Sequence, residues 1–331
     1  MSNICELKKV LEQKINESKQ VILTGHVGAD FDSIASCIAM SEIAKKFKTD
    51  VYILYNDQDI KVEPGVKEMI DSTNSTINYI NCEEYKKIKT GKDLLITLDV
   101  SNKDILPCKD YLNCFQNIIV IDHHTENRHP IESQYNYILK DVSSTAEVMT
   151  NLLISHKINF TKNIANYLLA GIYLDTDKYT KNCSSKTMNT VSKLLDRGAD
   201  IVKVNEFFQT DFESDRKVQD LVSKANFITY SIAICIADEN VTYTKEELAK
   251  VADYLLRFKA DAAFAAGYID DELISISARS KGKVDVSKIM NVMNGGGNIY
   301  SAATKINSKE LNNEGKKLEL LTKPNFYIEE S

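Results

Sequence analysis

The stretch VILTGHVGADFDSIASCIAMSEIAKK, residues 21–46, decides the fold. It begins with Val21–Thr24, an apolar and β-branched run that predicts a strand. Asp32–Lys46 then carries apolar residues at helical spacing and predicts a helix. Between the two lies a short loop that contains His26 and Asp30. A strand that leads through a polar loop into a helix is the repeating unit of an α/β fold.

The same alternation continues through the first half of the chain. Further strands are predicted at Val51–Tyr55, Leu94–Leu98 and Ile118–Ile121. Strands that alternate with helices predict a mainly parallel sheet with helices on both faces. Ligands of such sheets bind at the carboxyl ends of the strands, which is where His26, Asp99 and Asp122 follow in the sequence.

Helices dominate the middle of the chain. Ser143–Ser155 begins with a capping box formed by Ser144 and Glu147, and the apolar helix Asn163–Tyr173 leads into Asp175. From Phe227 the pattern changes and predicts a second, smaller α/β domain. Its elements are a strand at Phe227–Ala237, a helix at Lys245–Arg257, a hairpin of Ala262–Tyr268 with Leu273–Ala278, and a helix at Asp285–Val292. The predicted boundaries are 1–190 for the catalytic domain, 191–225 for a helical linker, 226–310 for the second domain and 311–331 for a tail.

Composition restricts the class of protein. The chain has 331 residues, a net charge of −6 and a pI of about 5.6, which disfavours binding to long nucleic acid. Its seven cysteines are scattered and form no CxxC motif, so we expect reduced, mostly buried thiols and no zinc site or disulfide framework. The charged N-terminus resembles no signal peptide, and no apolar run reaches the roughly 18 residues of a membrane span. These features predict a cytoplasmic protein with no membrane partner.

Histidine and aspartate cluster in four motifs. The chain has five histidines, and three of them lie in acidic motifs that follow predicted strands. In order, the motifs are His26 with Asp30 and Asp32, then Asp99, then Asp122-His123-His124, then Asp175. Carboxylates gathered at one point repel one another unless cations lie between them. Aspartate with imidazole suits Mn²⁺ or Mg²⁺, and two such ions form a clamp for phosphoryl displacement.

Each motif alone has a plainer explanation. A single aspartate such as Asp99 or Asp177 at the end of a strand or helix is usually a turn or cap residue. His129 and His156 stand outside the motifs and fit a surface position or a hydrogen-bonded core position. The four motifs in this order are what favour a functional site.

With these motifs, the sequence resembles the DHH phosphoesterase family with its C-terminal DHH-associated domain, over residues 15–306. Within that family it looks most like the GdpP-type cyclic-di-AMP phosphodiesterases, in a stand-alone form, with nanoRNases and pAp phosphatases next. The stretches that carry this second likeness are Ser143–Glu147, Leu169–Ile172, Asp175-Thr176, Ile276–Ser280 and Ala302–Ile306.

The resemblance implies a role for each motif residue. His26 and Asp30 would hold one Mn²⁺, and Asp99 would bridge it to a second ion, with Mg²⁺ or Co²⁺ as alternative metals. The second ion would be held by Asp32, His123 and Asp175. His124 would face the substrate phosphate as a catalytic residue, and Asp122 would orient the neighbouring histidines.

The smaller domain would bind the substrate. Arg279 and Ser277 lie on its predicted hairpin, and Arg279 would contact a phosphate. Gly295, Gly296 and Gly297 would bring backbone N–H groups to a phosphate, aided by the N-terminus of a following helix. The family usually has histidine after the three glycines, whereas this chain has Asn298, which carries no charge and transfers no proton.

The leading prediction is therefore a hydrolase that cleaves cyclic-di-AMP, linear pApA or both to 5′-phosphorylated products. A nanoRNase or pAp phosphatase that acts on short RNA is the alternative enzyme, and a nucleotide sensor without turnover is the alternative of a different class. Pyrophosphatases and polyphosphatases share the metal motifs, but the second-domain pattern disfavours them. The expected partner is a small nucleotide, with no long nucleic acid and no membrane; the sequence leaves open whether the chain forms a homodimer.

Overall fold

The structure of the protein is a computed structural model, which describes residues 2–55, 64–124, 129–209, 212–229 and 231–308. The predicted tail at 311–331 lies outside these residues. The chain divides into two compact units, Met1–Gln209 and Thr210–Ser331. No helix within the described ranges has the length and apolar character needed to cross a membrane.

The strands of the first unit form a parallel sheet. They are β1 (Gln20–Thr24), β2 (Asp50–Leu54), β3 (Asn78–Ile80), β4 (Asp93–Leu98), β5 (Asn117–Asp122) and β6 (Tyr135–Ile138). In the described part of the unit their order is β3-β2-β1-β4-β5-β6, and every neighbouring pair runs parallel. The order reverses between β1 and β4, which is where open parallel sheets bind ligands.

The helices of the first unit pack against this sheet. They are α1 (Ser2–Glu17), α2 (Phe31–Lys45), α3 (Pro64–Thr73), α4 (Cys82–Ile88), α5 (Thr145–Ser155), α6 (Lys162–Asp175), α7 (Ser185–Leu195) and α8 (Ile201–Phe207). Short 3₁₀ helices occupy Lys103–Ile105 and Lys109–Cys114. Helix α2 is buried along nearly its whole length, as its apolar sequence requires, and it contacts α5 and α6. The main core of the unit therefore lies around α2.

The second unit is a mixed sheet with helices on both faces. Its strands are β7 (Asn226–Thr229), β8 (Ile232–Ile236), β9 (Ala262–Tyr268), β10 (Leu273–Ser280), β11 (Gly296–Gly297) and β12 (Ser301–Asn307). Its helices are α9 (Phe212–Ser223), α10 (Lys245–Leu255) and α11 (Val286–Val292). Among described residues the order is β11-β12-β10-β9-β8-β7, with only the β8–β9 pair parallel.

The predicted fold class is confirmed: the first unit has a parallel sheet flanked by helices, and a second sheet domain follows. Two local predictions were wrong. The run Phe227–Ala237 is not one strand but two, β7 and β8, which pair antiparallel with Thr229 opposite Ile232. The short edge strands β3 and β6 were not predicted, since three or four residues of mixed polarity carry little periodic signal.

The cysteine prediction also needs correction. Cys82 and Cys108, 26 residues apart, form a disulfide between the start of α4 and the loop between the 3₁₀ helices. The sheet brings both segments to its carboxyl edge, a pairing that sequence spacing does not reveal. Of the free cysteines in the described ranges, only Cys37 and Cys235 are buried, so "mostly buried" was wrong as well.

Candidate functional site

The candidate residues of the first unit lie at the carboxyl edge of its sheet, around the point where the strand order reverses. His26 follows β1, Asp99 follows β4, and His123 follows β5. Asp175 is the last residue of α6 and approaches the same edge from the helical layer. Because parallel strands all point the same way, residues far apart in sequence converge here.

One group consists of His26, Asp30 and Asp99. His26 Nε2 lies 3.8 Å from Asp30 Oδ2 and 3.7 Å from Asp99 Oδ2. Asp30 is also the N-cap of α2, where its Oδ1 accepts a hydrogen bond of 3.0 Å from the Ser33 backbone N–H. The cap fixes the backbone of this loop and leaves the second carboxylate oxygen, Oδ2, facing the imidazole.

A second group consists of Asp32, Asp99, His123 and Asp175. His123 Nε2 lies 3.1 Å from Asp175 Oδ2, 3.4 Å from Asp99 Oδ1 and 3.9 Å from Asp32 Oδ2. In each group, every residue offers one ligand atom, and these atoms lie within 4.8 Å of one another. Asp99 belongs to both groups, with one oxygen toward each.

Asp99 has an unusual backbone. Its φ is +63°, in the left-handed region that only a few non-glycine residues adopt, aspartate among them. Its N–H donates to Ile121 O at 2.9 Å, which ties it to the end of β5, and its side chain is 2% exposed. Strained backbone of this kind is held by its surroundings and is frequent at functional sites.

Asp122 is bonded to the two histidines that follow it. Its Oδ1 accepts from the backbone N–H groups of His123 and His124, at 2.8 and 3.1 Å. The same oxygen lies 2.8 Å from His124 Nδ1, while the His124 side chain is 55% exposed. Asp122 thus fixes the backbone turn and one side of the His124 ring, and the other side of the ring reaches solvent.

The electrostatics show an excess of buried negative charge. Burial and the repulsion of Asp99 and Asp175 raise the pKa of Asp32. Burial opposes ionisation of Asp99 too, but His123 and His26 hold its pKa well below the usual range. Although burial disfavours charged imidazoles, Asp30 and Asp99 raise the pKa of His26 to about 11, and Asp175 and Asp99 raise that of His123 to about 10. The carboxylates therefore demand positive charge at this point.

These residues fit divalent cations. His123 Nε2 and Asp175 Oδ2 are buried and face each other without a hydrogen bond of good geometry, as ligand atoms do when their partner is a metal. The donors are carboxylate oxygens and imidazole nitrogens, with no thiolate among the grouped residues. That donor set suits Mn²⁺ or Mg²⁺ more than a metal that selects sulfur.

A cavity of about 440 Å³ opens beside the first group. Its wall combines His26 with apolar residues, tyrosines and charged residues, among them Leu106, Pro107, Tyr55, Tyr111, Glu83, Asp104, Lys109 and Asp110. Cavities of this size hold small ligands and are typically lined by apolar and aromatic groups with a few polar ones.

In the second unit, Ser277 and Arg279 lie two residues apart on β10 and contact each other. Arg279 Nη1 donates to Ser277 Oγ at 3.4 Å and to Ala278 O at 3.1 Å, and its Nε lies 3.2 Å from a carboxylate oxygen of Asp253. The ion pair with Asp253, whose side chain is half exposed, restrains the guanidinium.

The prediction for the glycine run was wrong in one respect. Gly296 and Gly297 form β11, and the next element of the described chain is the strand β12 and not a helix. A Cβ at Gly295 would lie 2.4 Å from Ala303 O, and one at Gly297 would lie 2.3 Å from Ser301 O. Packing of this hairpin therefore explains two of the glycines.

Asn298 completes the same turn. Its Oδ1 accepts hydrogen bonds of 2.9 Å from the backbone N–H groups of both Tyr300 and Ser301. A histidine cannot reproduce this pair of bonds in the same way. Asn298, which stands where the family usually has histidine, therefore stabilises the backbone of this turn.

Sequence reasoning missed one residue of the first unit, Thr145. Its hydroxyl donates to Asp99 Oδ1 at 3.1 Å. The capping signal at Ser144 placed a helix start here, but no sequence feature gave its distance from Asp99. The predicted capping box is only half formed, because Glu147 accepts from the Ser143 N–H and not from that of Ser144.

Each of the two units matches the model of a known protein family. Residues 20–172 match the model of the DHH family, N-terminal domain, and residues 226–323 match the DHHA1 domain. A membrane protein–large ribosomal subunit bL9 fusion protein of Aster yellows witches'-broom phytoplasma is 30% identical over 300 residues, covering 88% of this chain and 35% of that protein. The cyclic-di-AMP phosphodiesterase GdpP of Bacillus subtilis is 31% identical over 310 residues, covering 91% and 47%.

The chain thus spans about a third to a half of the length of these curated relatives. Among solved structures, an exopolyphosphatase-related protein of Bacteroides fragilis has the same fold, with a TM-score of 0.78 at 18% identity over 97% of this chain and 95% of that one.

Proposed function

Because the chain carries a DHH family N-terminal domain followed by a DHHA1 domain, we propose that it is a phosphodiesterase that uses two divalent cations, Mn²⁺ in particular. Its substrate would be cyclic-di-AMP, linear pApA or both, cleaved to 5′-phosphorylated products. The observation that carries the proposal is the pair of ligand groups joined by Asp99 at the point where the strand order reverses.

The two groups supply complementary ligand sets. His26 and Asp30 would hold one cation, Asp32, His123 and Asp175 the other, and Asp99 both. When bound, such a pair acidifies an attacking water and offsets the charge of a phosphodiester. The strained but fixed backbone of Asp99 keeps its two oxygens directed toward the two groups before any ligand arrives.

Residue His124 is placed to act on the leaving oxygen. Asp122 Oδ1 engages its Nδ1, which directs the opposite ring nitrogen outward, and the ring is more than half exposed. A histidine held on one side by a carboxylate can donate a proton from the other side. We assign His124 the proton transfer to the departing 3′-oxygen and Asp122 the orientation of its ring.

The size of the cavity and the polar pair of the second unit support the proposed substrate class. The cavity beside His26 has room for a nucleoside, and Tyr55 and Tyr111 offer aromatic surface to a base. In the second unit, Ser277 and Arg279 form a polar pair suited to a phosphate. Relatives named as cyclic-di-AMP phosphodiesterases, which match 91% of this chain, support a cyclic or linear dinucleotide of adenosine as substrate.

The proposal is tested by comparing initial rates on cyclic-di-AMP, pApA, pAp and a five-nucleotide RNA, after removal of metals and re-addition of Mn²⁺, Mg²⁺ or Co²⁺. We expect cleavage of at least one of the two dinucleotides, dependent on added metal and fastest with Mn²⁺. Turnover of pAp or RNA without turnover of either dinucleotide would contradict the proposed substrate and would indicate a pAp phosphatase or a nanoRNase. Absence of product from every substrate would contradict the proposed activity and would favour a nucleotide sensor without turnover.

A further inference from the structure

The N-terminus of α5 contacts two carboxylates of the candidate metal site at once. The backbone N–H groups of Thr145 and Ala146 donate to Asp32 Oδ2 and Oδ1, at 2.8 and 2.6 Å. The hydroxyl of Thr145 donates to Asp99 Oδ1 at 3.1 Å. Asp32 and Thr145 are fully buried and Asp99 is 2% exposed, so these contacts are shielded from solvent.

Backbone donors at a helix start are well suited to this task. The first N–H groups of a helix have no partner within it, and the helix dipole favours negative charge there. Both oxygens of Asp32 are engaged by such groups, which fixes the plane of its carboxylate. The lone pairs that remain on each oxygen can still meet a cation, because a carboxylate has about four acceptor sites.

A glycine on α6 allows this approach. A Cβ on Gly171 would lie 2.9 Å from Asp32 Cα and 3.0 Å from both Asp32 Oδ1 and Ala146 Cβ. Any larger residue would have to push Asp32 away from the start of α5. The helix that carries Gly171 also ends at Asp175, so the packing of this helix positions Asp32 and Asp175 relative to each other.

We infer that Thr145 is a positioning residue of the metal site. Thr145 orients Asp32 through its backbone N–H and Asp99 through its hydroxyl. Because Asp99 belongs to both ligand groups, Thr145 contributes to the geometry of both. The inference rests on the proposed metal-dependent function. Removal of hydrogen bonds to ligating carboxylates typically lowers metal affinity by roughly 10- to 100-fold.

The test uses Thr145→Val, which keeps the shape and the N–H but removes the hydroxyl, and Thr145→Ser, which restores a hydroxyl. Thr150→Val is the matched control, because Thr150 is equally buried on the same helix and its hydroxyl bonds only to Ala146 O, at 2.8 Å. Binding of Mn²⁺ to metal-free protein is measured by titration calorimetry, and folding by thermal melting.

We expect Thr145→Val to bind Mn²⁺ about 10-fold more weakly, Thr145→Ser to approach the parent affinity and Thr150→Val to match it. Equal affinities for Thr145→Val and the parent, or equal losses in both valine variants, would overturn the inference while the proposed function stands. Tight binding that depends on Thr145 without any turnover would overturn only the function. A parent protein that binds no Mn²⁺ would overturn both.

Discussion

The two units hold their candidate residues in different ways. In the first, residues as distant as His26 and Asp175 meet at one sheet edge, around the buried carboxylates of Asp32 and Asp99. In the second, Arg279 is paired with Asp253, and Asn298 bonds the backbone of its own turn. In the first region the carboxylates outnumber the imidazoles beside them, whereas in the second the charge of Arg279 already has a carboxylate partner.

This difference predicts different responses to substitution. Loss of a shared carboxylate in the first region should remove the site as a whole. Changes in the second region should alter substrate affinity or preference by degrees, because each side chain there has its own partner and none is shared between two groups.

The largest effect is expected for Asp99→Asn, which keeps the shape of the side chain but removes the charge shared by both groups. We expect turnover to fall about 1,000-fold or more, equivalent to about 4 kcal/mol in the barrier, with His123→Ala close behind. Rates and metal content per chain measure this. Asp196→Asn, at an exposed carboxylate at the end of α7, is the control and should have no effect. If Asp99→Asn kept a tenth of the parent rate, Asp99 would not be the bridging ligand.

A smaller effect is expected for Arg279→Lys. Lysine keeps the charge but loses the planar fork that contacts Ser277 and that would contact a phosphate in the proposed function. We expect kcat/KM to fall roughly 10-fold, mainly through KM, with metal content unchanged. Arg257→Lys serves as control, since Arg257 stacks over Tyr254 on α10. A loss of bound metal in Arg279→Lys would show that the two regions are not separable.

Asn298→His should act on substrate preference. We expect the ratio of rates on pApA and cyclic-di-AMP to change a few-fold, together with a loss of about 1 kcal/mol in stability as two backbone bonds to Oδ1 are lost. Substrate competition and thermal melting measure the two effects. If the ratio of the two rates did not change, Asn298 would stabilise the turn without influencing substrate preference.

The smallest effect concerns a histidine far from both groups. Buried His156 has no hydrogen-bond partner for either ring nitrogen. Burial and the nearby Lys8 lower its pKa, Glu12 opposes them, and Lys46 adds to the lowering. Because the unfolded chain then binds the proton more readily, stability is lost as pH falls below the unfolded value of about 6.5.

Replacement by glutamine should therefore flatten the fall in unfolding free energy between about pH 7.5 and 5.5. Denaturant unfolding at several pH values measures this slope. Identical slopes for His156→Gln and the parent protein would contradict the lowered pKa of His156.

The sequence predicted most of the first region because its signals are local. Apolar strands ending at His26, Asp99 and Asp122 implied a parallel sheet, and a parallel sheet brings such residues to one edge. It did not predict that Thr145 would reach Asp99, nor that Cys82 would pair with Cys108. Both contacts depend on how segments distant in sequence pack together, and the spacing of residues in the sequence does not determine that packing.

In the second region the errors had another cause. The glycines were interpreted as a phosphate loop before a helix, but they pack a hairpin in which Gly295 and Gly297 lie against β12. A glycine run marks close approach of the backbone, and only the structure shows whether a ligand or a neighbouring strand is what approaches.

The most direct test of the central claim is anomalous diffraction at the manganese edge from crystals grown with Mn²⁺. We expect two peaks about 3.5–4 Å apart, both within bonding distance of the Asp99 carboxylate. A single peak, or peaks away from Asp99, would contradict it.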